Sequence, residues 1–276
     1  IDEELRRIDA VTMEDLENYL KATQTVSEQV SKPVTPIASP FENEEDERIP
    51  VRGLRKKIAE KMVQSKYTAP HVSGMDEIDV TKLVQLRQQL LEQLEPDVKL
   101  TYLPFIIKAV IRALKENPYF NASYDEEKNE IVLKKRYNIG IATATKHGLV
   151  VPVIKHADKK SIMEIALELE TLVEKAHQQT LSLSDIQDGT FTITSTGVNG
   201  GWFATPIINY PEVAIFGAHA IKKRPVVVDD EIVIREMMGI SITFDHRVID
   251  GAPSAQFMQT VTELLENPER LLLDVR

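Results

Sequence analysis

Apolar residues recur along this chain in two rhythms, one helical and one strand-like. Leu54, Ile58 and Met62 stand four apart and predict a first helix. Val80, Leu83, Val84, Leu90, Leu91 and Leu94 predict a second, with Asp79 placed to cap it. A third begins at Pro104 and runs through Leu114. Proline is tolerated in a first turn because the N–H it lacks has no helical partner there. Ser161 and Glu164 form a capping box ahead of a stripe of Ile162, Ile165, Ala166, Leu169, Leu172, Val173 and Ala176. Burying the large members of that stripe is worth on the order of 10 kcal/mol before entropy, an upper bound that marks it as core. A last helix runs from about Ser254 to Leu265.

Strand-like runs lie between and after these helices: 131–134, 137–143, 149–154, 190–195, 213–218, 225–228, 231–235 and 238–244. Pro152 inside one run predicts an edge or a bulge. Asp229-Asp230 between two β-rich runs is a hairpin signal, weakened by the absence of glycine. Helices and strands mixed without regular β-α-β spacing predict an α+β fold with a mixed sheet flanked by helices.

The first 47 residues break both rhythms. Thr12 and Asp15 precede a short helical pattern of Met13, Leu16 and Leu20, too short to be stable alone. It fits either the tail of a small helical binding module or a partly ordered arm. Residues 22–47 then carry Pro33, Pro36 and Pro40 and an acidic run from Glu42, the composition of a flexible linker. The chain opens on Ile1 rather than methionine, which implies that an upstream segment has been removed. The expected organisation is therefore a domain remnant over 1–21, a linker over 22–47 and one large domain over 48–276.

Charge sharpens this division. The 276 residues carry a formal net charge of −10, of which −9 falls on residues 1–47 and −1 on the rest. An acidic balance argues against a largely electrostatic nucleic-acid binder. The longest apolar stretch, 100–114, is interrupted by Lys108 and Arg112, so no membrane span is expected. Without cysteine there is no disulfide, thiolate metal site or cysteine nucleophile, and any acyl-thioester chemistry must borrow its sulfur. No G-x-G-x-x-G, phosphate-binding loop or internal repeat occurs, and no residue cluster has metal-ligand spacing.

Two segments carry candidate chemistry. The first is Asp245-His246-Arg247-Val248-Ile249-Asp250-Gly251, which sets a histidine among charges between an apolar strand and a glycine turn. Histidine titrates near neutrality and can take and return a proton within one turnover. A structural histidine flanked by ion pairs fits the same residues, so chemistry alone leaves both readings open. The second is Gly189-Thr190-Phe191-Thr192-Ile193-Thr194-Ser195-Thr196-Gly197, followed by Gly200-Gly201-Trp202. A strand ending in hydroxyls suits hydrogen bonding to a developing oxyanion, although Thr-rich strands are common on half-buried sheets.

The run from Phe244 to Gly251, with Phe191 to Gly197, resembles the catalytic core of the 2-oxo acid dehydrogenase acyltransferases, pyruvate- or branched-chain-type. Gly53-Leu54-Arg55-Lys56-Lys57-Ile58-Ala59, Ala69-Pro70-His71-Val72, Asn138-Ile139-Gly140-Ile141-Ala142, Gly148-Leu149-Val150-Val151-Pro152-Val153 and Pro211-Glu212-Val213-Ala214-Ile215 extend the resemblance from about Arg48 to the C-terminus. It implies a chloramphenicol-acetyltransferase-like fold, trimers with active sites between subunits, and assembly of a homotrimer into a larger cage. It also implies acyl transfer, acetyl favoured, between a dihydrolipoyl thiol and coenzyme A. A branched-chain acyltransferase, or a non-catalytic scaffold core, is the alternative.

On this resemblance His246 is the general base and Thr194 donates to the oxyanion. Asp250 is structural, paired with Arg55 unless Arg55 faces the coenzyme's phosphates. Arg55, Ser65, Thr194 and Ser195 are the implied coenzyme contacts. Ala144 departs from an acidic residue common in relatives. Residues 11–20 resemble the last helix of the family's peripheral subunit-binding domain, but the glycine-rich loop before it is missing. The Asp-Lys-Ala hairpin of a lipoyl domain is also missing, so the lipoyl group is expected on a separate or upstream domain. The implied partners are the E1 and E3 components and the lipoyl domain. The implied location is prokaryotic cytoplasm or mitochondrial matrix.

Overall fold

The computed structural model describes residues 47–95, 99–197 and 200–273. The expected N-terminal helix, and the expected linker apart from Glu47, lie outside them. A compact unit begins at Val51. Its helices are α1 (Gly53–Thr68), α2 (Thr81–Leu91), α3 (Leu103–Glu116), α4 (Ile162–Gln178), α5 (Leu183–Ile186), α6 (Gly251–Glu266) and α7 (Glu269–Leu273). Its strands are β1 (His71–Asp79), β2 (Ala122–Asp125), β3 (Glu130–Leu133), β4 (Ile139–Thr145), β5 (Gly148–Val150), β6 (Val153–Ile154), β7 (Phe191–Ser195), β8 (Ala214–Val228) and β9 (Glu231–Asp245).

The sheet is mixed, as the pattern predicts. Its order is β1-β9-β8-β7-β4-β5, with β6 paired to β4 and with β2–β3 as a separate hairpin. β4, β7 and β8 run parallel, while β1 and β8 flank β9 antiparallel. The four predicted runs between 213 and 244 prove to be two strands of 15 residues each. A register shift between Ala218 and Ile221 interrupts them. Asp229 and Asp230 both adopt positive φ, 51° and 63°, the geometry of a two-residue hairpin turn. Pro225 is tolerated in β8 because β7 pairs only as far as Ala218, leaving that edge open. Pro152 splits the predicted 149–154 run into β5 and β6.

Helices cover the sheet where their stripes say they should. α3 buries Phe105, Ile106, Ile107, Val110, Ile111 and Leu114, and packs against α6. Phe257 of α6 stacks on Phe120 with ring centroids 4.5 Å apart. Ser161 accepts from Glu164 N while the Glu164 side chain accepts from Ser161 N, completing the predicted capping box of α4. Behind it Ile165, Ala166, Leu169, Leu172 and Ala176 are buried. Asp79 accepts from Thr81 N at 2.9 Å but lies one position ahead of Val80, the N-cap residue of α2, so it ties the first turn without being the expected cap.

α1 is the exception. Among its residues only Ser65 is buried, and Leu54, Val63 and Tyr67 are exposed. Residues of one α1 face nonetheless bond to the 208–209 segment at two points, one buried and one exposed. Ser65 Oγ donates to Ile208 O at 2.6 Å and Lys61 Nζ donates to Asn209 Oδ1 at 2.6 Å. Positions four apart share a helix face, so both ties fall on one side of α1.

Candidate active site

His246 sits on the turn that ends β9, and its two neighbours build that turn. Asp245 is 2 % exposed and its carboxylate accepts four times from Arg247: from Nε at 3.0 and 3.1 Å, from Nη2 at 2.7 Å and from the backbone N at 3.0 Å. Arg247 also donates to Glu126 at 2.9 Å and lies over the Tyr124 ring at 4.6 Å. The Asp245 carboxylate raises the Arg247 pKa further, so the guanidinium stays charged. The backbone of Asp245 donates to Val213 O and accepts from Val248 N and Ile249 N. Asp245 and Arg247 are therefore the frame of the turn.

The histidine itself is left accessible. His246 N donates to Pro70 O at 2.9 Å, while its side chain remains 46 % exposed beside Phe244. Its Nδ1 lies 3.9 Å from Asp250 Oδ1, longer than a hydrogen bond. His71, opposite Asp245 in the β1–β9 register, uses both its nitrogens. Nδ1 lies 2.7 Å from Ala69 O and Nε2 accepts from Ile208 N at 3.1 Å, which defines the Nδ1–H tautomer.

Three expectations need correction or relocation. Asp250 stands 3.9 Å from His246 and forms no ion pair with Arg55 among the described residues; it occupies the N-cap position of α6 without a side-chain cap bond. Arg55 lies at the β4–β5 hairpin, its guanidinium 3.8 Å from where a Gly148 Cβ would stand. Ser65 is fully buried and its hydroxyl is bonded to Ile208 O, so it has no surface to offer a coenzyme. Ser195 is exposed at the end of β7 and accepts from Gly197 N at 3.3 Å.

Thr194 is half-buried on β7, on the same face as Thr192. The register sets it opposite Gly217 of β8, and Gly217 opposite Ser241 of β9. His246 follows five residues beyond Ser241, two strands away from Thr194. At about 3.3 Å per residue and 4.8 Å per strand, the two lie roughly 15–20 Å apart within one chain. One copy does not bring both to a common acyl carbon.

A buried imidazole between Thr196 and Ser241 escaped the sequence reading. His219 of β8 is 4 % exposed, with Nε2 3.0 Å from Ser241 Oγ and Nδ1 3.5 Å from Thr196 Oγ1. Burial lowers its pKa below the ordinary imidazole value. A Cβ on Gly217 would stand 2.4 Å from Ser241 Oγ and 3.1 Å from His219 Nε2, so only glycine fits next to it. The sole sequence signal was a histidine just past an apolar run.

Two cavities adjoin these groups. One of about 490 Å³ lies between β1 and α6 and is lined by Phe244, Gly251, Ser254 and Met258, next to the His246 turn. Another of about 660 Å³ lies between α1 and β5, walled by Leu54, Ile58, Met62, Leu149 and Leu181, with Lys57 and Lys61 at its edge. No group of His, Asp and Glu side chains among the described residues could hold a metal ion. No described helix is long and apolar enough to cross a membrane.

Residues 43–273 match the family described as 2-oxoacid dehydrogenases acyltransferase (catalytic domain). The chain belongs to this family. It is 44 % identical over 279 residues to the dihydrolipoyllysine-residue acetyltransferase component of the pyruvate dehydrogenase complex of Staphylococcus aureus, covering 96 % of this chain and 64 % of that protein. It thus spans under two thirds of the length of the curated relatives it matches. The fold is shared with the Azotobacter vinelandii dihydrolipoamide acetyltransferase, with a TM-score of 0.81 and 36 % identity over 87 % of this chain and all of that one. The serine, histidine and asparagine studied in the catalytic mechanism of that acyltransferase are separated along its chain as Thr194, His246 and Asp250 are here. A cubic core of the pyruvate dehydrogenase multienzyme complex matches equally well, with a TM-score of 0.81 and 36 % identity over 87 % of this chain and all of that one.

Proposed function

We propose that this chain transfers an acyl group, acetyl by preference, between a dihydrolipoyl thiol and coenzyme A within a 2-oxo acid dehydrogenase complex. The observation that carries the reading is the His246 turn: a mount held by the Asp245–Arg247 pair that leaves one imidazole half-exposed. His246 takes the proton of the attacking thiol. An ordinary thiol pKa of about 8.5 lies close enough to an imidazole's of about 6.5 for this transfer to be efficient. The thiolate sulfur attacks the thioester carbonyl, and the tetrahedral oxyanion accepts from a threonine hydroxyl. The intermediate collapses, the leaving sulfur takes the proton back from His246, and no acyl-enzyme forms. This agrees with a chain that has no cysteine.

The separation of Thr194 from His246 supports a site shared between two copies, with Thr194 of one facing His246 of the next. A homotrimer that assembles further into a cage supplies that juxtaposition. The cubic core described for its relative supports the same assembly for this chain. Arg55 on α1, exposed beside an apolar cavity with further cations at its edge, suits the phosphates and pantetheine arm of coenzyme A. The lipoyl group arrives on a lipoyl domain, and the E1 and E3 components complete the cycle. The staphylococcal relatives favour a bacterial, cytoplasmic setting and the acetyl group.

The test is direct. Purified protein is supplied with free dihydrolipoamide and acetyl-, isobutyryl-, isovaleryl- or succinyl-coenzyme A, and thioester consumption is followed. Acetyl turnover should exceed the others and vanish in His246→Ala. Turnover that is absent in wild type, or unchanged in His246→Ala, overturns the reading. Faster isobutyryl or isovaleryl turnover replaces acetyl by a branched-chain acyl group.

A further inference from the structure

The 208–212 loop is tied to three parts of the molecule at once. Ile208 accepts from Ser65 of α1 through its carbonyl and donates to His71 of β1 through its N–H. Asn209 accepts from Lys61 of α1 through Oδ1, and its Nδ2 donates to Thr192 of β7 at 3.0 Å and to Glu212 Oε1 at 2.9 Å. The amide orientation is thereby fixed, nitrogen towards Glu212 and oxygen towards Lys61. Glu212 N donates to Asn209 O at 3.2 Å and closes the loop around cis Tyr210–Pro211.

Glu212 is 7 % exposed, and its Oε2 has no protein partner. It faces a cavity of about 300 Å³ that is also lined by Lys61 from α1, Lys134 and Arg136 from the segment before β4, and Asp188 from the segment before β7. No catalytic step proposed above uses this carboxyl. Without it the Asn209 amide keeps only Thr192 Oγ1 as an acceptor, and the orientation that turns Oδ1 towards Lys61 is held less firmly. Apart from Ser65, α1 is at most partly buried, through Ile58, Met62 and Thr68, so the two loop ties add to a thin apolar contact with β5.

We propose that Glu212 is a positioning residue for coenzyme binding: through Asn209 and Lys61 it sets α1, and with it Arg55. Burial pushes the Glu212 carboxyl up to about 7, opposed by its bonds from Thr192 and Asn209 and by the nearby Lys61. The proton on Glu212 therefore comes off in the working range, and the alignment of α1 is sensitive to it. The role of Arg55 rests on the proposed transferase reading; the attachment of α1 does not.

The experiment uses the full chain with Glu212→Ala and Glu212→Gln. Steady-state transfer should show the KM for coenzyme A raised about tenfold in Glu212→Ala with kcat little changed, because ground-state alignment and not the chemical step is disturbed. Glu212→Gln, which keeps the acceptor for Asn209, should restore the KM and remove the wild-type inflection of KM near pH 7. Hydrogen–deuterium exchange at one pH provides a readout independent of turnover. Residues 53–68 should exchange faster in Glu212→Ala, α6 should be unchanged, and Glu212→Gln should match wild type. Unchanged exchange over 53–68 in Glu212→Ala overturns the proposal, as does an equal fall in kcat and kcat/KM. A protein with no transferase turnover but faster exchange over 53–68 overturns the function reading and leaves the α1 attachment standing.

Discussion

Arg247 grips the Asp245 carboxylate with a two-pronged guanidinium contact, and the single residue between them is His246. Asp245 is almost wholly buried, so removing Arg247 strands a charge that water cannot reach. Arg247→Ala should destabilise the domain by about 3 kcal/mol, the low end for a broken buried pair because Arg247 is itself partly exposed. Arg247→Lys keeps the charge but not the fork, and should fall between. Denaturant unfolding measures both, and a loss below 1 kcal/mol for Arg247→Ala would show that the turn is held by its backbone bonds.

Thr194 on β7 and His246 just past β9 lie too far apart within one chain to reach one reacting carbon, which makes subunit complementation a sharp test. His246→Ala should lower kcat by roughly 10²–10⁴-fold and Thr194→Ala by roughly 10²–10³-fold. When the two variants are co-expressed in equal amounts, a site taking His246 from one copy and Thr194 from another is intact in about one case in four. The mixed assemblies should thus recover about a quarter of wild-type turnover. Recovery no greater than the mean of the two variants would place both residues in one chain's site.

Much of this arrangement was legible in the chain, and the illegible parts share a cause. The stripe on α4, the capping box at Ser161, the Asp229-Asp230 turn and the placement of His246 at a strand end each depend on residues close in sequence. β1 did not announce itself. His71–Asp79 contains Gly74, Asp76 and Glu77, poor strand formers, and is extended because β9 pairs with it along its whole length. Ser65 looked available because the helical pattern cannot show that a loop 143 residues later supplies its hydrogen-bond acceptor. His219 was hidden for the same reason, its polar partners being distant in sequence.

Ser65 supplies a third prediction. Its hydroxyl is fully buried and satisfied by one carbonyl, so Ser65→Ala should cost about 1–2 kcal/mol by leaving Ile208 O unpaired. Ser65→Val adds volume where none is free and should cost more. If Ser65 instead touched the coenzyme directly, Ser65→Ala would raise the KM for coenzyme A without changing the midpoint of urea unfolding. Measuring both quantities on the same variant separates the two roles.

The buried Glu212 carboxyl makes stability depend on pH in a direction opposite to that of ordinary acid denaturation. Its folded pKa of about 7 lies above the ordinary 4.5, so the folded chain holds this proton more tightly than the unfolded chain. The contribution is fully present below pH 4.5 and is lost as pH rises through 7. The whole swing is on the order of 3 kcal/mol. Glu212→Gln cannot ionise and keeps the bond from Asn209, so its stability should exceed that of wild type at pH 8 and converge with it towards pH 5. Urea unfolding of both proteins at pH 5, 6, 7 and 8 checks this. A constant offset between the two curves would mean that Glu212 does not titrate in this window, and that its free oxygen is stabilised as a carboxylate by the cations lining its cavity.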